Sequence, residues 1–321
     1  MSRPIAGCTV LVTGANGFVG PHLARALTAR GAQVIGAALG DRPAEPSVVA
    51  WHSMDLASPE SVQAAWQSAR PDFVVHLAGQ SSAARSFEAP AETFEANVLG
   101  TLRMLQSMQA VAPKARMLVV GTSEVYGGIE ADTRAKEDSP QKPVSPYALS
   151  KCIAERLAAE YAEQHRLDVV RVRPFGHTGP GQTPRFVIAS FAQQIAAIEA
   201  GNAEPVLRVG NLQVTRDLTD VRDIVEGYCS LLERGHRGEV YNLCRGEGVL
   251  LSQVADSLAA MAKVEVHVEV DPARLRPADV PYLVGDPSRV QRDTGWQASR
   301  PLEQTLKDVL HEWRGVARGQ V

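Results

Sequence analysis

The chain has 321 residues, of which 45% are hydrophobic and 21% charged, and its formal net charge is −3. That length can bury a large core as one big domain or two modest ones, and that charge gives no reason to expect nucleic acid as a partner. No uninterrupted apolar run reaches 18 residues, so no membrane span is expected. Met1-Ser2-Arg3-Pro4 leads straight towards structure without the apolar stretch of a signal peptide. Cys8, Cys152, Cys229 and Cys244 are far apart, lie in apolar segments and lack zinc spacing. Free thiols in a cytoplasmic protein are the expectation, with no metal site.

Cys8-Thr9-Val10-Leu11-Val12-Thr13 is a short β-rich apolar run, as a buried parallel strand requires. It opens into Gly14-Ala15-Asn16-Gly17-Phe18-Val19-Gly20, with a helix following through Leu23 and Leu27. Glycines at such a place permit a tight turn, let a pyrophosphate approach the backbone and let the helix pack on the strand. Lying between a first strand and a first helix, the turn reads as a nucleotide site rather than a plain connection. Gln33 to Ala38 is a second strand. NAD-binding units place a carboxylate near the end of that strand, on the ribose 2′-hydroxyl. Here Gly36-Ala37-Ala38-Leu39-Gly40 offers none before Asp41, and Arg42 follows, suited to a 2′-phosphate. The pattern leans to NADP(H), with NAD(H) open.

The alternation continues. A strand from Val49 to Met54 ends at Asp55-Leu56, and a helix from Pro59 to Ser68 leads to a strand from Asp72 to Leu77. That strand opens into Ala78-Gly79-Gln80-Ser81-Ser82. A longer helix around Glu92 to Met108 precedes a strand from Ala115 to Val120, which ends in Gly121-Thr122-Ser123-Glu124-Val125-Tyr126-Gly127. Repeated strand–loop–helix units predict an α/β fold, a doubly wound parallel sheet that binds ligands along the C-terminal edge of its strands. Next comes Ser145-Pro146-Tyr147-Ala148-Leu149-Ser150-Lys151. Pro146 suits a first helical turn, and Tyr147 and Lys151, four apart, share one face of a helix read to Leu157. A phenol beside an ammonium makes a proton donor from a group whose free pKa is about 10. Thr122, Ser123 and Glu124 stand 25, 24 and 23 residues before the tyrosine and bring the hydroxyls that a carbonyl-polarising site needs.

Together, Gly14-x-x-Gly17-x-x-Gly20, Thr122-Ser123-Glu124-x-Tyr126-Gly127 and Tyr147-x-x-x-Lys151 resemble, in order and spacing, the extended short-chain dehydrogenase/reductases, nucleotide-sugar branch. The resemblance covers essentially the whole chain. In the second half a strand from Val169 to Arg173 runs into Pro174-Phe175-Gly176-His177-Thr178-Gly179-Pro180-Gly181-Gln182 and Phe186-Val187-Ile188. Arg208-Val209-Gly210-Asn211, Thr215-Arg216-Asp217, Val240 to Cys244, a helix from Ser252 to Ala262 and Asp271-Pro272-Ala273-Arg274-Leu275-Arg276 follow. This set is similar to the GDP-4-keto-6-deoxymannose reductases of that branch. Planar, bidentate guanidinium groups suit a diphosphate.

The resemblance implies a Rossmann-like sheet in residues 1–173, rejoined at about 215–245, with a smaller substrate-binding lobe mainly in 174–321. It places the cofactor on Gly14, Asn16, Gly17, Phe18, Val19, Gly20, Arg42, Asp55, Leu56, Leu77, Ala78, Gly79, Tyr147, Lys151, Pro174 and His177. It places a nucleotide sugar, GDP-linked by preference, on Ser81, Arg85, Ser123, Glu124, Phe175, Gly176, Phe186, Val187, Arg208, Asn211, Arg216, Arg274 and Arg276. A homodimer through helices near 92–108 and 147–164 is also implied. One departure stands out: relatives carry Asn-His where this chain has Gly176-His177, which removes an amide from the pocket and leaves room for a changed sugar or a changed way of holding it.

The implied activity is NAD(P)H-dependent reduction of the C4 ketone of a nucleotide-linked 4-keto-6-deoxyhexose, GDP-4-keto-6-deoxy-D-mannose to GDP-D-rhamnose in the first instance. Tyr147 would supply the proton, Lys151 would lower its pKa and hold the nicotinamide ribose, and Ser123, with Thr122, would hydrogen-bond the oxygen. Glu124 keeps a second reading open, since a GDP-mannose 4,6-dehydratase uses Thr-Ser-Glu at this place to remove a C5 proton, and a 4-epimerase with tightly bound NAD(P) is a third. Against the dehydratase stand the short chain and Gly127-Gly128 without a following lysine. A non-catalytic cofactor-binding module would have no need of the Tyr147, Lys151 and Ser123 set.

Overall fold

The structure is a computed structural model and describes residues 3–275 and 280–319. In chain order its first half comprises β1 (Thr9–Thr13), α1 (Val19–Thr28), β2 (Gln33–Ala38), β3 (Val48–Ser53), α2 (Pro59–Ala69) and β4 (Phe73–His76). Then come α3 (Ala83–Glu88), α4 (Pro90–Phe94), α5 (Gly100–Val111), β5 (Arg116–Val120), α6 (Pro146–Gln164) and β6 (Asp168–Pro174). The second half adds β7 (Gly176–Thr178), α7 (Val187–Glu199), β8 (Val206–Val209), β9 (Thr215–Asp220), α8 (Val221–Arg234) and β10 (Val240–Leu243). It closes with β11 (Gly248–Leu250), α9 (Leu251–Ala260), β12 (His267–Val270), β13 (Tyr282–Leu283), α10 (Ser288–Thr294) and α11 (Leu302–Ala317).

Seven strands form one parallel sheet in the order β3-β2-β1-β4-β5-β6-β10. Successive strand residues face opposite sides, and both sides are apolar. Val10, Val12, Phe73 and Val75 join Leu23, Leu27, Ile224 and Leu231 of α1 and α8. Leu11, Val74, Met117 and Val119 meet Trp66, Met104, Met108 and Ala158 of α2, α5 and α6. That double burial explains the nearly uninterrupted hydrophobic runs of the strands. The order reverses direction between β1 and β4, which opens a crevice beyond their C-terminal ends.

Helix starts follow capping chemistry. Ser58 Oγ accepts from Ser61 N at 3.1 Å with Pro59 next in line, and Ser145 Oγ accepts from Ala148 N at 3.1 Å ahead of Pro146. α6 continues to Gln164, well past Leu157. A further core lies away from the large sheet, where α7, α9 and α11 bury Ile195, Leu258 and Val309 with Leu207 of β8. Cys229 and Cys244 are buried, Cys8 and Cys152 half-buried, and all four are free.

The expected helix around Glu92 to Met108 is present and runs without interruption from Pro90 to Val111, but it contains one π turn that the spacing did not indicate. α4 begins at Pro90, Glu95–Leu99 forms a π turn, and α5 starts at Gly100. Thr101 Oγ1 donates to Asn97 O at 2.7 Å, and the Asn97 amide reaches off the helix to Gln80 O and Ser150 Oγ. These buried partners hold the extra residue in the turn, and π turns of this kind collect at functional sites.

Gly20 fixes how closely α1 packs on the glycine turn: a Cβ there would lie 2.2 Å from Ala15 O. Gly20→Ala is expected to lower stability by about 1–3 kcal/mol, the usual cost of overpacking, and to weaken dinucleotide binding. Urea unfolding and cofactor titration check this; unchanged values in both would show that the turn yields.

Candidate active site

At the crevice, the glycine turn and the loop after β4 meet backbone to backbone. A Cβ on Gly14 would lie 2.9 Å from Ala78 N, so no side chain stands between them. Asn16 Nδ2 donates to Leu39 O at 2.8 Å and ties the turn to the end of β2. Exposed Arg42 donates to Val48 O. Asp55 Oδ1 accepts from Ala57 N at 2.8 Å, and Leu56 is buried, its carbonyl held by Arg103 at 2.7 Å. The Phe18 ring stacks on His177 with centroids 6.2 Å apart, and His22 donates to Pro180 O at 2.8 Å. Residues 176–182 thus cover the first turn of α1. His177 donates to Phe175 O at 2.9 Å. Burial pushes the pKa of both histidines down, so neither adds a cation there. A bare backbone turn at a helix N-terminus, with Arg42 beyond the second strand, fits a phosphorylated dinucleotide.

The chemistry-bearing side chains converge from β5 and α6. Thr122 Oγ1 accepts from Glu124 N at 3.2 Å, and Ser123 is buried. Tyr147 is 7% exposed. Its phenol is pushed above the ordinary range by burial first and by the charge of Glu124 second, while a hydrogen bond with Thr122 draws it down. The expected lowering by Lys151 therefore does not prevail. Lys151 Nζ donates to Val120 O at 3.0 Å, and burial brings its pKa down to about 8. At neutral pH the site presents a protonated phenol beside a lysine close to its titration point.

Behind these groups lies a polar layer that sequence reasoning missed. Arg173 of β6 grips Glu155 of α6 at 2.8 and 2.6 Å and donates to Tyr126 Oη at 2.6 Å. Tyr126 in turn donates to Asn242 Oδ1 at 2.6 Å. Burial opposes the Arg173 charge, but the hydrogen bonds and charge of Glu155 raise its pKa above the ordinary arginine value. Glu155 follows Lys151 by four residues, the one signal that would have placed it on the face of Tyr147 and Lys151. Asn97 makes a separate set of contacts that sequence reasoning also missed: its Oδ1 accepts from Gln80 N at 2.8 Å and its Nδ2 donates to Ser150 Oγ at 2.9 Å.

The residues expected to hold substrate are more dispersed. Ser81 is exposed, and Arg85 pairs with Glu92 at 2.7 Å on the surface. Phe175, 2% exposed, packs in a cluster with Tyr126, Cys244 and Leu283. Phe186 is exposed just before α7, and Val187 opens that helix. Arg274 Nη1 reaches Ser190 Oγ of α7 at 3.4 Å, and a Cβ on Gly210 would touch Arg274 O at 2.6 Å, so Phe186, Gly210 and Arg274 share one region. Arg208 faces Glu204 and Glu269 at 3.5 Å each, Asn211 accepts from Gln213 N at 2.9 Å, and Arg216 donates to Thr215 O at 2.9 Å. Exposed ion pairs such as those of Arg208 are worth little. Arg276 lies outside the described residues. Gly176 has a structural reason: β7 runs beside β9, and a Cβ at 176 would lie 2.9 Å from Asp217 O.

Comparison with known proteins finds relatives in sequence and in fold. The sequence model of the family described as GDP-mannose 4,6 dehydratase matches residues 11–309. A GDP-6-deoxy-D-mannose reductase from Pseudomonas aeruginosa is 37% identical over 310 residues, 96% of this chain and 98% of that protein. Among solved structures, RMD from Pseudomonas aeruginosa complexed with NADPH is similar at a TM-score of 0.86 and 35% identity, over 96% of this chain and 99% of that one. The Thermus thermophilus UDP-glucose 4-epimerase complex with NAD is similar at 0.87 and 30%, with coverage of 96% and 99%.

With a folded Lys151 pKa of about 8 against an ordinary 10.5, the native state holds fewer protons than the unfolded one between those values. This group's contribution to stability therefore rises with pH across that window. Carbon NMR of lysine-labelled protein should show one ammonium titrating near pH 8, absent in Lys151→Met. A normal lysine titration at this position would contradict the burial argument.

Proposed function

The chain belongs to the GDP-mannose 4,6-dehydratase family, and we propose that it is an NADPH-dependent reductase converting GDP-4-keto-6-deoxy-D-mannose to GDP-D-rhamnose. The observation that carries the reading is the 37% identity to a GDP-6-deoxy-D-mannose reductase across nearly the full length of both proteins. D-rhamnose is 6-deoxy-D-mannose, so that protein's name describes the product expected here. The likeness to a structure complexed with NADPH supports NADPH over NADH, as does Arg42, a few residues beyond the strand end near which NAD enzymes place a carboxylate.

Bound NADPH supplies the hydride. The protein's own work is to orient the ketone and to move one proton. Tyr147, kept protonated by burial and by Glu124, gives its phenolic proton to the C4 oxygen as negative charge develops there. Thr122 steadies the phenol, and the Ser123 hydroxyl hydrogen-bonds the same oxygen in this reading. Lys151 offers positive charge beside the Val120 carbonyl. Glu124 thereby has a role that needs no proton abstraction at C5: its charge holds the proton on Tyr147 until the substrate oxygen takes it. Residues 1–173 and the return at 215–245 form the cofactor wall, and the other described residues after 173 mainly the substrate wall, with Arg208, Arg216 and Arg274 serving the diphosphate. Among the described residues no helix is long and apolar enough to cross a membrane, and a cytoplasmic enzyme is the reading we adopt.

A second copy of the chain completes the proposal. Phe87, Leu99, Val144 and Leu149 are 55%, 40%, 46% and 44% exposed. Val144 and Leu149 border a groove with Pro90, Phe94, Pro143 and Pro146, between α4 and the start of α6. An apolar face of this kind on helices suits a symmetric dimer.

Two measurements test these readings. Purified protein should oxidise NADPH with GDP-4-keto-6-deoxymannose and leave GDP-mannose untouched, and Tyr147→Phe should lower turnover about 10²–10⁴-fold. Conversion of GDP-mannose without net cofactor consumption would establish the dehydratase instead. Light scattering should give twice the chain mass, and Leu149→Glu should halve it; a monomeric wild type would remove the dimer.

A further inference from the structure

His76 ends β4 after Phe73, Val74 and Val75 and is 2% exposed. Both ring nitrogens are engaged: Thr13 Oγ1 lies 2.8 Å from Nδ1, and Thr101 Oγ1 lies 3.2 Å from Nε2. Such contacts are ambiguous alone, but the partners resolve them. Thr101 Oγ1 also lies 2.7 Å from Asn97 O. A carbonyl only accepts, so the single hydroxyl proton of Thr101 points there. The Thr101 oxygen must then accept from His76, which places the imidazole proton on Nε2. Nδ1 is left as an acceptor, and the Thr13 hydroxyl donates to it while its oxygen accepts from Ala78 N at 3.1 Å. Every polar atom is satisfied in this one arrangement.

The line of bonds continues into the active site. Asn97, whose carbonyl Thr101 holds, sits in the π turn and bonds both the N–H and the C=O of Gln80, at 2.8 and 3.0 Å. It also bonds Ser150 Oγ at 2.9 Å, and Ser150 Oγ donates to Tyr147 O at 2.7 Å. A Cβ on Gly79 would lie 2.5 Å from Asn97 Oδ1 and 3.7 Å from Lys151 Nζ. The amide and the ammonium thus flank one backbone position in the loop after β4. Protonation of His76 would demand a second donor contact where Thr13 already donates. Burial accordingly lowers its pKa to about 3, with the Lys151 charge adding to the effect.

We propose that His76 is a positioning residue: as a neutral imidazole protonated on Nε2, it orients the Thr101 hydroxyl, holds the π turn, and so sets Asn97 between the cofactor-side loop and the helix bearing Tyr147 and Lys151. A residue that merely fills the core would need neither one tautomer nor two directional partners. The kinetic consequence rests on the reductase reading; the protonation state does not.

Nitrogen-15 NMR of histidine-labelled wild-type protein, with His76 identified by its loss in His76→Gln, should show a protonated Nε2 and a pyridine-type Nδ1. That state should persist from pH 8 down to about pH 5, the range in which ordinary histidines titrate. A proton on Nδ1, or titration within that range, overturns the proposal. Thr101→Val cuts the relay while leaving the imidazole, and His76→Asn keeps only the acceptor at the Nδ1 place. Each should lower kcat about 10–100-fold, as small misplacements of reacting groups do, with KM for NADPH changed less than threefold or so. His76→Gln, whose amide donor reaches the Nε2 place, should recover most of the turnover. Folded Thr101→Val and His76→Asn proteins with wild-type kcat, or His76→Gln no better than His76→Asn, would also overturn it. If these variants do not fold, the tautomer of the wild type decides. Absence of reductase activity in the wild type would sink the functional reading and leave the tautomer test standing.

Discussion

The bidentate contact between Arg173 and Glu155 is the constraint from which the site is built. Both side chains are about 4–5% exposed, so neither charge can turn to water, and truncating one partner would leave the other buried and unpaired. Glu155 lies on the face of α6 that carries Lys151 and Tyr147, and Arg173 lies on β6. Gripping one to the other sets the height of the helix over the sheet. Tyr126 and Asn242 extend the grip to the loop after β5 and to β10.

From the other side, the Asn97 amide holds α6 through Ser150 and the β4 loop through Gln80. The helix is therefore pinned at two points, one towards β6 and one towards β4, with Tyr147 and Lys151 between. The electrostatics follow from that enclosure. Burial lifts Tyr147 and lowers Lys151, so each is driven towards its neutral form. Glu124 adds to the first effect. A phenol held protonated is the state a reduction begins from, which ties the unusual carboxylate after Ser123 to the same chemistry as its neighbours.

Much of this was legible in the sequence wherever the signal is local. The strand–loop–helix alternation, the glycine turn at the first helix, the Pro146 start and the four-residue spacing of Tyr147 and Lys151 all arise within a few residues. The π turn inside the helix around 92–108 was not legible. Asn97 and Thr101 are compatible with the exposed face of an ordinary helix, and only Gln80, Ser150 and His76, brought in by other elements, give them reason to form a π turn. Phe175 illustrates the same limit: its place beside the expected pocket is clear in the chain, but its burial against Tyr126 and Leu283 depends on how β13 returns.

The sequence alone determined the fold class, the glycine turn at the first helix and the shared helix face of Tyr147 and Lys151, because each rests on backbone periodicity or spacing along one element. Tertiary structure decided what those groups experience. Thr13 and His76 stand 63 residues apart and His76 and Thr101 25 apart, and they meet only because parallel strands align in register and a helix packs across them. Whether a phenol gains or loses acidity, and which nitrogen of an imidazole carries its proton, depends on burial and on partners from distant segments. Neither is encoded in local spacing.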